Sequence, residues 1–322
     1  MVILVEASHL GKTSAMANRL SHERRQHVLR LLCEGSSLRS ASRVTGVDKG
    51  TVSRVILQFG NACQAFLDET LRGLTLRHVE IDEIWTFVQK KQARLTTEER
   101  ALRHDIGDMY LWTAIDQDTK LLACYAIGKR SADMARRFMV DLRDRLAFEM
   151  PKPHASDAHN FEAGGYRPAV QISTDGFPAY PEAVDLAFGP YVRYGQIIKE
   201  YRNATMQYTP SEMVGTQRRG IIGIDDSNAR SICTSHVERN NLTIRTFMRR
   251  FTRLSLGFSK KLECLAAAVG MFAAYYNFVW RTRHTDQSGM SGRRRPPAAM
   301  MAGVTDHLWS FEELYRTVIQ YG

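Results

Sequence analysis

Residues 78–91, HVEIDEIWTFVQKK, combine large apolar side chains with several acids. Its Val, Ile, Trp and Phe residues favour a β-strand, which we predict over residues 78–88. Three acids, Glu80, Asp82 and Glu83, interrupt these apolar residues. A carboxylate in an apolar strand is destabilising unless a cation or a hydrogen-bond donor compensates it. The stretch therefore predicts a strand and leaves open what compensates its acids.

The elements after this strand are predicted to alternate as in an α/β fold, from strand-like and helix-like spacing of apolar residues. In order they are a hairpin within residues 109–128, a helix at 131–146, a strand at 169–176, a helix at 178–189, a strand at 191–201, a loop at 202–234 and a helical region at 235–281. Three strands, then helix, strand, helix, strand and helix is the order of an RNase H-like fold.

Charge and composition narrow the class of partner. The 322 residues include 44 Lys and Arg against 34 Asp and Glu, a formal net charge of +10. This excess favours a polyanionic partner, nucleic acid first, although an ordinary basic globular protein has a similar composition. The 44% of hydrophobic residues are enough for a sizeable core and argue against wholesale disorder.

The cysteines argue against a disulfide-stabilised protein, and the longest apolar run is better explained as a core helix than as a membrane span. Five widely spread cysteines predict reduced thiols in a cytosolic protein rather than a disulfide framework. Cys233 and His236 are spaced like half a zinc site, but no second half is evident. Residues 262–280 are long enough to span a membrane, yet they carry Glu263 and Asn277, so a buried core helix is predicted.

Residues 21–70 predict a small all-α domain. A short helix, a turn at Gly46 and a second helix capped by Asp48 form a helix-turn-helix pattern. A small helical bundle without DNA-binding activity has a similar pattern and is the alternative. In the DNA-binding interpretation, the second helix presents four polar residues to the major groove: Lys49, Thr51, Ser53 and Arg54.

Two further acids have positions suited to chemistry. Asp175 ends an apolar strand in the stretch STDG, where open α/β sheets place their sites, although Asp-Gly also forms ordinary turns. Glu238 lies early in a helix whose following basic residues resemble a phosphate track; a solvated basic face is the alternative. We predict DNA contacts for three of these residues, Arg245, Arg249 and Arg250.

Three acids on separate elements suit a two-metal phosphoryl-transfer site. Magnesium prefers carboxylate oxygens in octahedral geometry. Two such ions about 4 Å apart activate the attacking oxygen and stabilise the leaving one. Asp82 would then be tolerated in its strand because a metal ion compensates its charge.

The chain resembles the DDE-type transposases of IS1-family insertion sequences, which have an RNase H-like catalytic domain. The matching stretches occur in the family's order and are LLCEGSSLRSASRVTGVDKGTVSRV, VEIDEIWTFV, YLWTAIDQDTKLLACYAIG, STDGFPAY, TSHVERNNLTIRTFMRRFTRLSLGFSKK and AAMMAGVTDHLWSFEEL. The resemblance implies that Asp82, Asp175 and Glu238 are the catalytic acids and bind Mg²⁺, with Mn²⁺ as a substitute. It also implies a basic residue near Arg245 that contacts DNA.

Together these observations predict an α/β fold, with an RNase H-like mixed sheet flanked by helices and preceded by a small all-α helix-turn-helix domain. The predicted parts are an unassigned segment (1–20), the helix-turn-helix domain (21–70), the catalytic domain (77–283) and a C-terminal tail (284–322).

The expected function is that of a DNA transposase, which binds terminal repeats and catalyses metal-dependent DNA cleavage and strand transfer. Its expected partner is double-stranded DNA, both the terminal inverted repeats and the target, bound by a homo-oligomer. We expect no membrane association and a cytoplasmic, nucleoid-associated location. One alternative is an RNase H-like, metal-dependent DNA nuclease or resolvase. Another is a non-catalytic DNA-binding regulator derived from a transposase.

Overall fold

A computed structural model describes residues 20–147, 170–202, 212–225, 227–252, 255–281 and 294–322 of the chain. The unassigned segment 1–20, apart from Leu20, lies outside the described residues. The helices are α1 (His22–Cys33), α2 (Leu38–Thr45), α3 (Lys49–Thr70), α4 (Thr97–Leu102), α5 (Ala132–Arg145), α6 (Tyr180–Phe188), α7 (Ser235–Phe247), α8 (Leu262–Phe278), α9 (Ala298–Met301) and α10 (Phe311–Val318).

Side-chain caps define where the first three helices begin. The hydroxyls of Ser21 and Ser37 accept backbone N–H groups at the starts of α1 and α2. The carboxylate of Asp48 accepts the N–H groups of Gly50 and Thr51 at the start of α3. Between α2 and α3 the chain reverses at Gly46, which has a φ of +67° that favours glycine. The predicted helices on either side of Gly46, and the Asp48 cap, are confirmed.

Six strands form one mixed sheet, with the order β3-β2-β1-β4-β5-β6. The strands are β1 (His78–Val88), β2 (Gly107–Asp116), β3 (Leu122–Gly128), β4 (Gln171–Asp175), β5 (Arg193–Arg202) and β6 (Glu212–Ile222). β1, β2 and β3 pair antiparallel, as do β5 and β6, whereas β4 pairs parallel with β1 and with β5. The parallel pairs are joined through α5 and α6, as parallel connections require. The predicted α/β fold, with a mixed sheet flanked by helices, is confirmed.

Two parts of the sequence prediction are wrong. The loop predicted over residues 202–234 contains β6, which pairs along β5 at the edge of the sheet. The helical region predicted over residues 235–281 is two helices, because α7 ends at Phe247 and α8 begins only at Leu262. An edge strand with mostly exposed side chains shows no apolar alternation, and neither does the short irregular segment between α7 and α8.

The N-terminal helices α1 to α3 and the part of the chain that contains the sheet contribute to one hydrophobic core. Helices α3 and α8 cross at two glycines, and a Cβ at Gly60 would lie 2.1 Å from the carbonyl oxygen of Ala267. A Cβ at Gly270 would likewise lie 2.8 Å from the Gly60 carbonyl oxygen, so both positions require glycine for this close approach. Helix α10 of the predicted tail joins the same core, where Tyr315 stacks on Phe59 with ring centroids 5.6 Å apart.

Helix α8 corresponds to the apolar run at residues 262–280 and has most of its residues buried in this core. Among the described residues, no helix is both long enough and apolar enough to cross a membrane. The prediction of a core helix in this run is confirmed.

Candidate functional site

The pairing of β1 with β4 brings two of the predicted acids together. Ile81 on β1 is in register with Thr174 on β4, so the next residues, Asp82 and Asp175, lie side by side. Asp82, Glu83 and Asp175 each offer a carboxylate oxygen, and these oxygens lie within 4.8 Å of one another. We call these three residues the carboxylate cluster. A set made only of carboxylate oxygens fits Mg²⁺ or Mn²⁺ better than a softer metal.

Alternation along β1 sends its three acids to opposite faces of the sheet. Glu80 and Asp82 contact α7, through His236 and Asn241 respectively. Glu83 instead accepts a hydrogen bond from Tyr180 at the start of α6. Successive side chains of a strand point to opposite faces, so this arrangement follows from the strand itself. Each acid of the opening stretch therefore has a hydrogen-bond partner on another element.

Asp82 is oriented by two donors. Its Oδ2 accepts Asn241 Nδ2 at 2.7 Å, and its Oδ1 accepts the backbone N–H of Glu83 at 2.8 Å. Burial, and then the nearby charge of Asp175, raises the pKa of Asp82 to about 6. A carboxylate that is destabilised by its neighbours in this way binds a divalent cation more readily than an isolated one.

Glu83 is almost completely buried, with 2% of its side chain exposed. Tyr180 donates its hydroxyl to Oε1 at 2.5 Å, and the Nε of Arg130 lies 3.4 Å from Oε2. Burial, followed by the charge of Asp175, raises the pKa of Glu83 to about 7. Glu83 is one of the three acids of the opening stretch but was not among the predicted site residues.

Glu238 lies on the first turn of α7, and its side chain is 45% exposed. Oε1 accepts the hydroxyl of Thr234 at 2.7 Å and also pairs with the ammonium of Lys199 on β5. Glu238 is not part of the carboxylate cluster, but its charge contributes to the raised pKa of Asp82. The structure thus brings Asp82 and Asp175 together and places Glu238 nearby, where it forms an ion pair with Lys199.

Glu80 anchors the start of α7 on the sheet. It is 1% exposed, and its Oε2 accepts the backbone N–H groups of His236 and Val237 at 2.8 and 3.0 Å. Thr234, at the N-cap position, makes no side-chain cap, so Glu80 supplies the capping oxygen from another element. Glu80 also lies within 4.8 Å of ligand atoms of Cys233 and His236, the half zinc site noted in the sequence. Its oxygens, however, already accept the two N–H groups and contact the His236 imidazole.

The predicted DNA-binding residues differ in exposure. On α3, Lys49 and Arg54 are exposed, and Arg54 donates to the hydroxyl of half-buried Thr51 at 3.1 Å. Ser53 is also half-buried, and after α7 Arg249 is exposed while Arg245 is half-buried. Arg250 turns inward, donates to Ser259 Oγ at 2.7 Å and has a pKa lowered by burial. The DNA contacts stay predictions, and this inward orientation argues against one at Arg250.

Sequence reasoning missed five residues around the acids. They are Glu83, Arg130, Tyr180, Lys199 and Asn241. Asn241 had a possible signal, since it follows Glu238 by three residues and so lies near it on the same helix. Glu83 also had a signal, since it directly follows Asp82 in the strand. Arg130, Tyr180 and Lys199 come from distant segments and had none.

The raised pKa values of Asp82 and Glu83 predict how Mg²⁺ and pH change the stability of the folded protein. Asp82 and Glu83 have folded pKa values above their ordinary ones, so the stability they contribute is full below about pH 4 and is lost as pH rises through about 6 to 7. For Asp82 the rise of the pKa from its ordinary value to about 6 corresponds to about 3 kcal/mol. We expect Mg²⁺ to raise the thermal unfolding temperature clearly at pH 8 and little at pH 5, measured by calorimetry.

Asp82→Asn is the matched variant for this measurement. It removes the destabilising charge, so the metal-free variant should unfold at a higher temperature than the wild type at pH 8, and Mg²⁺ should then have little effect. An equal Mg²⁺ effect in both proteins would contradict metal binding at Asp82.

A scan of the chain against models of known protein families finds no match, and a search of curated proteins finds no significantly similar sequence. The resemblance to IS1-family transposases therefore rests on the sequence stretches quoted above.

Proposed function

We propose that this chain is a DNA transposase of the DDE type, with an RNase H-like catalytic domain and an N-terminal helix-turn-helix domain. The observation that carries the proposal is the position of Asp82 and Asp175, side by side on the parallel strands β1 and β4. The strand order, with β1 to β3 antiparallel and β4 and β5 parallel to β1, supports the RNase H-like assignment.

In this proposal Asp82, Asp175 and Glu238 hold Mg²⁺. When bound, two such ions supply activation of the attacking oxygen and stabilisation of the leaving one. The chain's own residues position the acids, since Asn241 orients Asp82 and Arg130 contacts Asp175 at 3.1 Å. Lys199 contacts Glu238 through Oε1, so a metal ion that takes this oxygen would displace the ammonium of Lys199.

The reaction implied by the resemblance has two steps on DNA. Water first cleaves a phosphodiester at the end of the element and leaves a 3′-hydroxyl. That hydroxyl then attacks a phosphodiester of target DNA, so one bond forms as another breaks and no covalent protein–DNA intermediate is needed. Both steps are in-line displacements at phosphorus, which explains why one carboxylate site serves both.

The test is strand transfer in vitro. Inverted repeats are first sought in the DNA that flanks the gene, and a labelled duplex ending in such a repeat is then incubated with a target plasmid and Mg²⁺. The proposal predicts cleavage at the repeat and joining of the label to the plasmid. Cleavage without joining would favour the nuclease or resolvase, and binding without cleavage would favour the regulator.

For docking, we expect Arg54→Ala to weaken binding to terminal-repeat DNA more than binding to random DNA. Base contacts supply about 1–3 kcal/mol of discrimination each, whereas phosphate contacts supply none. Thr51→Ala should act in the same direction, because its hydroxyl contacts the Arg54 guanidinium. Titration of both DNAs by fluorescence anisotropy measures the difference.

Exposed Arg39 on α2 provides the matched control. Arg39→Ala removes the same charge from the preceding helix and should weaken binding to both DNAs about equally. If Arg54→Ala behaves like Arg39→Ala, α3 contacts only the DNA backbone.

A further inference from the structure

Arg130 is held at the edge of the carboxylate cluster on three sides. It lies between the end of β3 and the start of α5. Its Nη2 is 3.1 Å from Asp175 Oδ2, its Nε is 3.4 Å from Glu83 Oε2, and its guanidinium carbon lies 4.2 Å from the centroid of the Phe177 ring. Two carboxylates and an aromatic face thus restrict the guanidinium to one orientation.

Glu83 contacts Arg130 and is almost completely shielded from solvent. One of its oxygens accepts the hydroxyl of the fully buried Tyr180, and the other faces Arg130. A buried acid needs such partners, and removing one of them would leave an uncompensated charge. The tyrosine therefore orients Glu83, and Glu83 in turn holds the guanidinium beside Asp175.

Arg130 has more hydrogen-bonding capacity than these contacts use. A guanidinium carries five N–H donors, and the two carboxylate contacts involve only its Nε and Nη2. The side chain is 35% exposed, so it is accessible from solvent at the cluster. Its planar arrangement of donors matches the oxygens of a phosphate.

We propose that Arg130 contacts a phosphate of the DNA strand at this site, and that Glu83 is its positioning residue. The inference rests on the proposed function and adds a substrate-binding residue to it. In the metal-free protein, Arg130 compensates part of the charge of Asp175. Binding of a divalent cation at Asp82 and Asp175 supplies that compensation, and Nη2 then becomes available to an anionic oxygen of DNA.

The experiment compares Arg130→Ala with Arg136→Ala. Arg136 on α5 is an exposed arginine that pairs with Glu182 at 2.8 Å, outside the carboxylate cluster. Binding of a terminal-repeat duplex is measured against salt concentration, once in Ca²⁺, which takes oxygen ligands as Mg²⁺ does, and once in EDTA. One lost phosphate contact lowers the log–log slope by about one unit.

We expect Arg130→Ala to lower this slope by about one unit in Ca²⁺ and to leave it unchanged in EDTA. Single-turnover cleavage in Mg²⁺ should fall by about 100-fold, as for loss of a donor to transition-state charge. Arg130→Lys should keep the slope but recover only part of the cleavage, because it keeps the charge and loses the planar donors. Arg136→Ala should match the wild type in all three measurements.

Glu83→Gln tests the positioning role. We expect it to lower the slope in Ca²⁺ as Arg130→Ala does, and the double variant should show no further loss, because the two residues act through one contact. Thermal unfolding of each variant establishes that it is folded.

Two results would overturn the inference. An unchanged slope in Ca²⁺, together with cleavage within about twofold of the wild type in Arg130→Ala, excludes the phosphate contact. Additive losses in the double variant exclude positioning by Glu83. Absence of cleavage by the wild type would instead contradict the proposed function, and the slopes would still decide the role of Arg130.

Discussion

Asp82→Asn and Asp175→Asn should each lower Mg²⁺-dependent DNA cleavage by at least about 1,000-fold while leaving affinity for terminal-repeat DNA in EDTA unchanged. Each substitution removes a charged ligand from the carboxylate cluster, and such ligands support several kcal/mol of transition-state stabilisation. In the proposed function docking depends on residues elsewhere, chiefly on α3, so we expect binding without metal not to change. Single-turnover cleavage of a labelled duplex and anisotropy titration measure the two quantities.

The matched control is Asp185→Asn, the same substitution at an exposed position of α6. It should cleave at the wild-type rate. The metal mechanism would be refuted by full wild-type cleavage in EDTA, or by an Asp82→Asn variant that cleaves as fast as Asp185→Asn.

Glu238→Gln is expected to lower cleavage by at least about 100-fold, although Glu238 lies outside the carboxylate cluster. Its nearest cation is Lys199, and the charge of Glu238 already acts on Asp82. We therefore expect a metal ion at Asp82 and Asp175 to draw in the Glu238 carboxylate as a further ligand. Exposed Glu182 supplies the control, since Glu182→Gln should leave cleavage unchanged.

Lys199→Ala distinguishes metal binding by Glu238 from a purely structural role of that residue. If the ammonium competes with metal for Glu238, its removal should tighten Mn²⁺ binding in the absence of DNA by several-fold, whereas Glu238→Gln should weaken it. Electron paramagnetic resonance of free Mn²⁺ measures both. Unchanged affinity in both variants, with cleavage retained in Glu238→Gln, would remove Glu238 from the proposed metal site.

Much of the fold was predictable because its signals are local. The boundaries of β1 follow from a run of large apolar and β-branched residues. The start of α3 follows from the capping preference of Asp48, and the end of β4 from the change to polar residues at Asp175. Strand β6 was missed because an exposed edge strand is held by backbone hydrogen bonds to β5, which leave no periodic pattern in the side chains.

The candidate site also has residues that local sequence signals predict and contacts that depend on tertiary packing. The choice of Asp82 and Asp175 came from their positions on predicted strands and from the resemblance, and the parallel pairing of β1 with β4 places them together. The pairing of Glu238 with Lys199, and the inward turn of Arg250 towards Ser259, depend on which elements pack against each other. No local pattern carries that information.

Local patterns locate most of the strands and caps and identify the strand that carries buried acids, because propensity, capping and apolar alternation act over a few residues. The partner of each acid of β1 depends instead on how distant elements pack. Glu80 meets the N–H groups at the start of α7, Asp82 meets Asn241, and Glu83 meets Tyr180 and Arg130. These partners lie 47 to 159 residues away along the chain (130 − 83 = 47; 241 − 82 = 159), and the charge compensation of a buried acid depends on distance in space rather than in sequence.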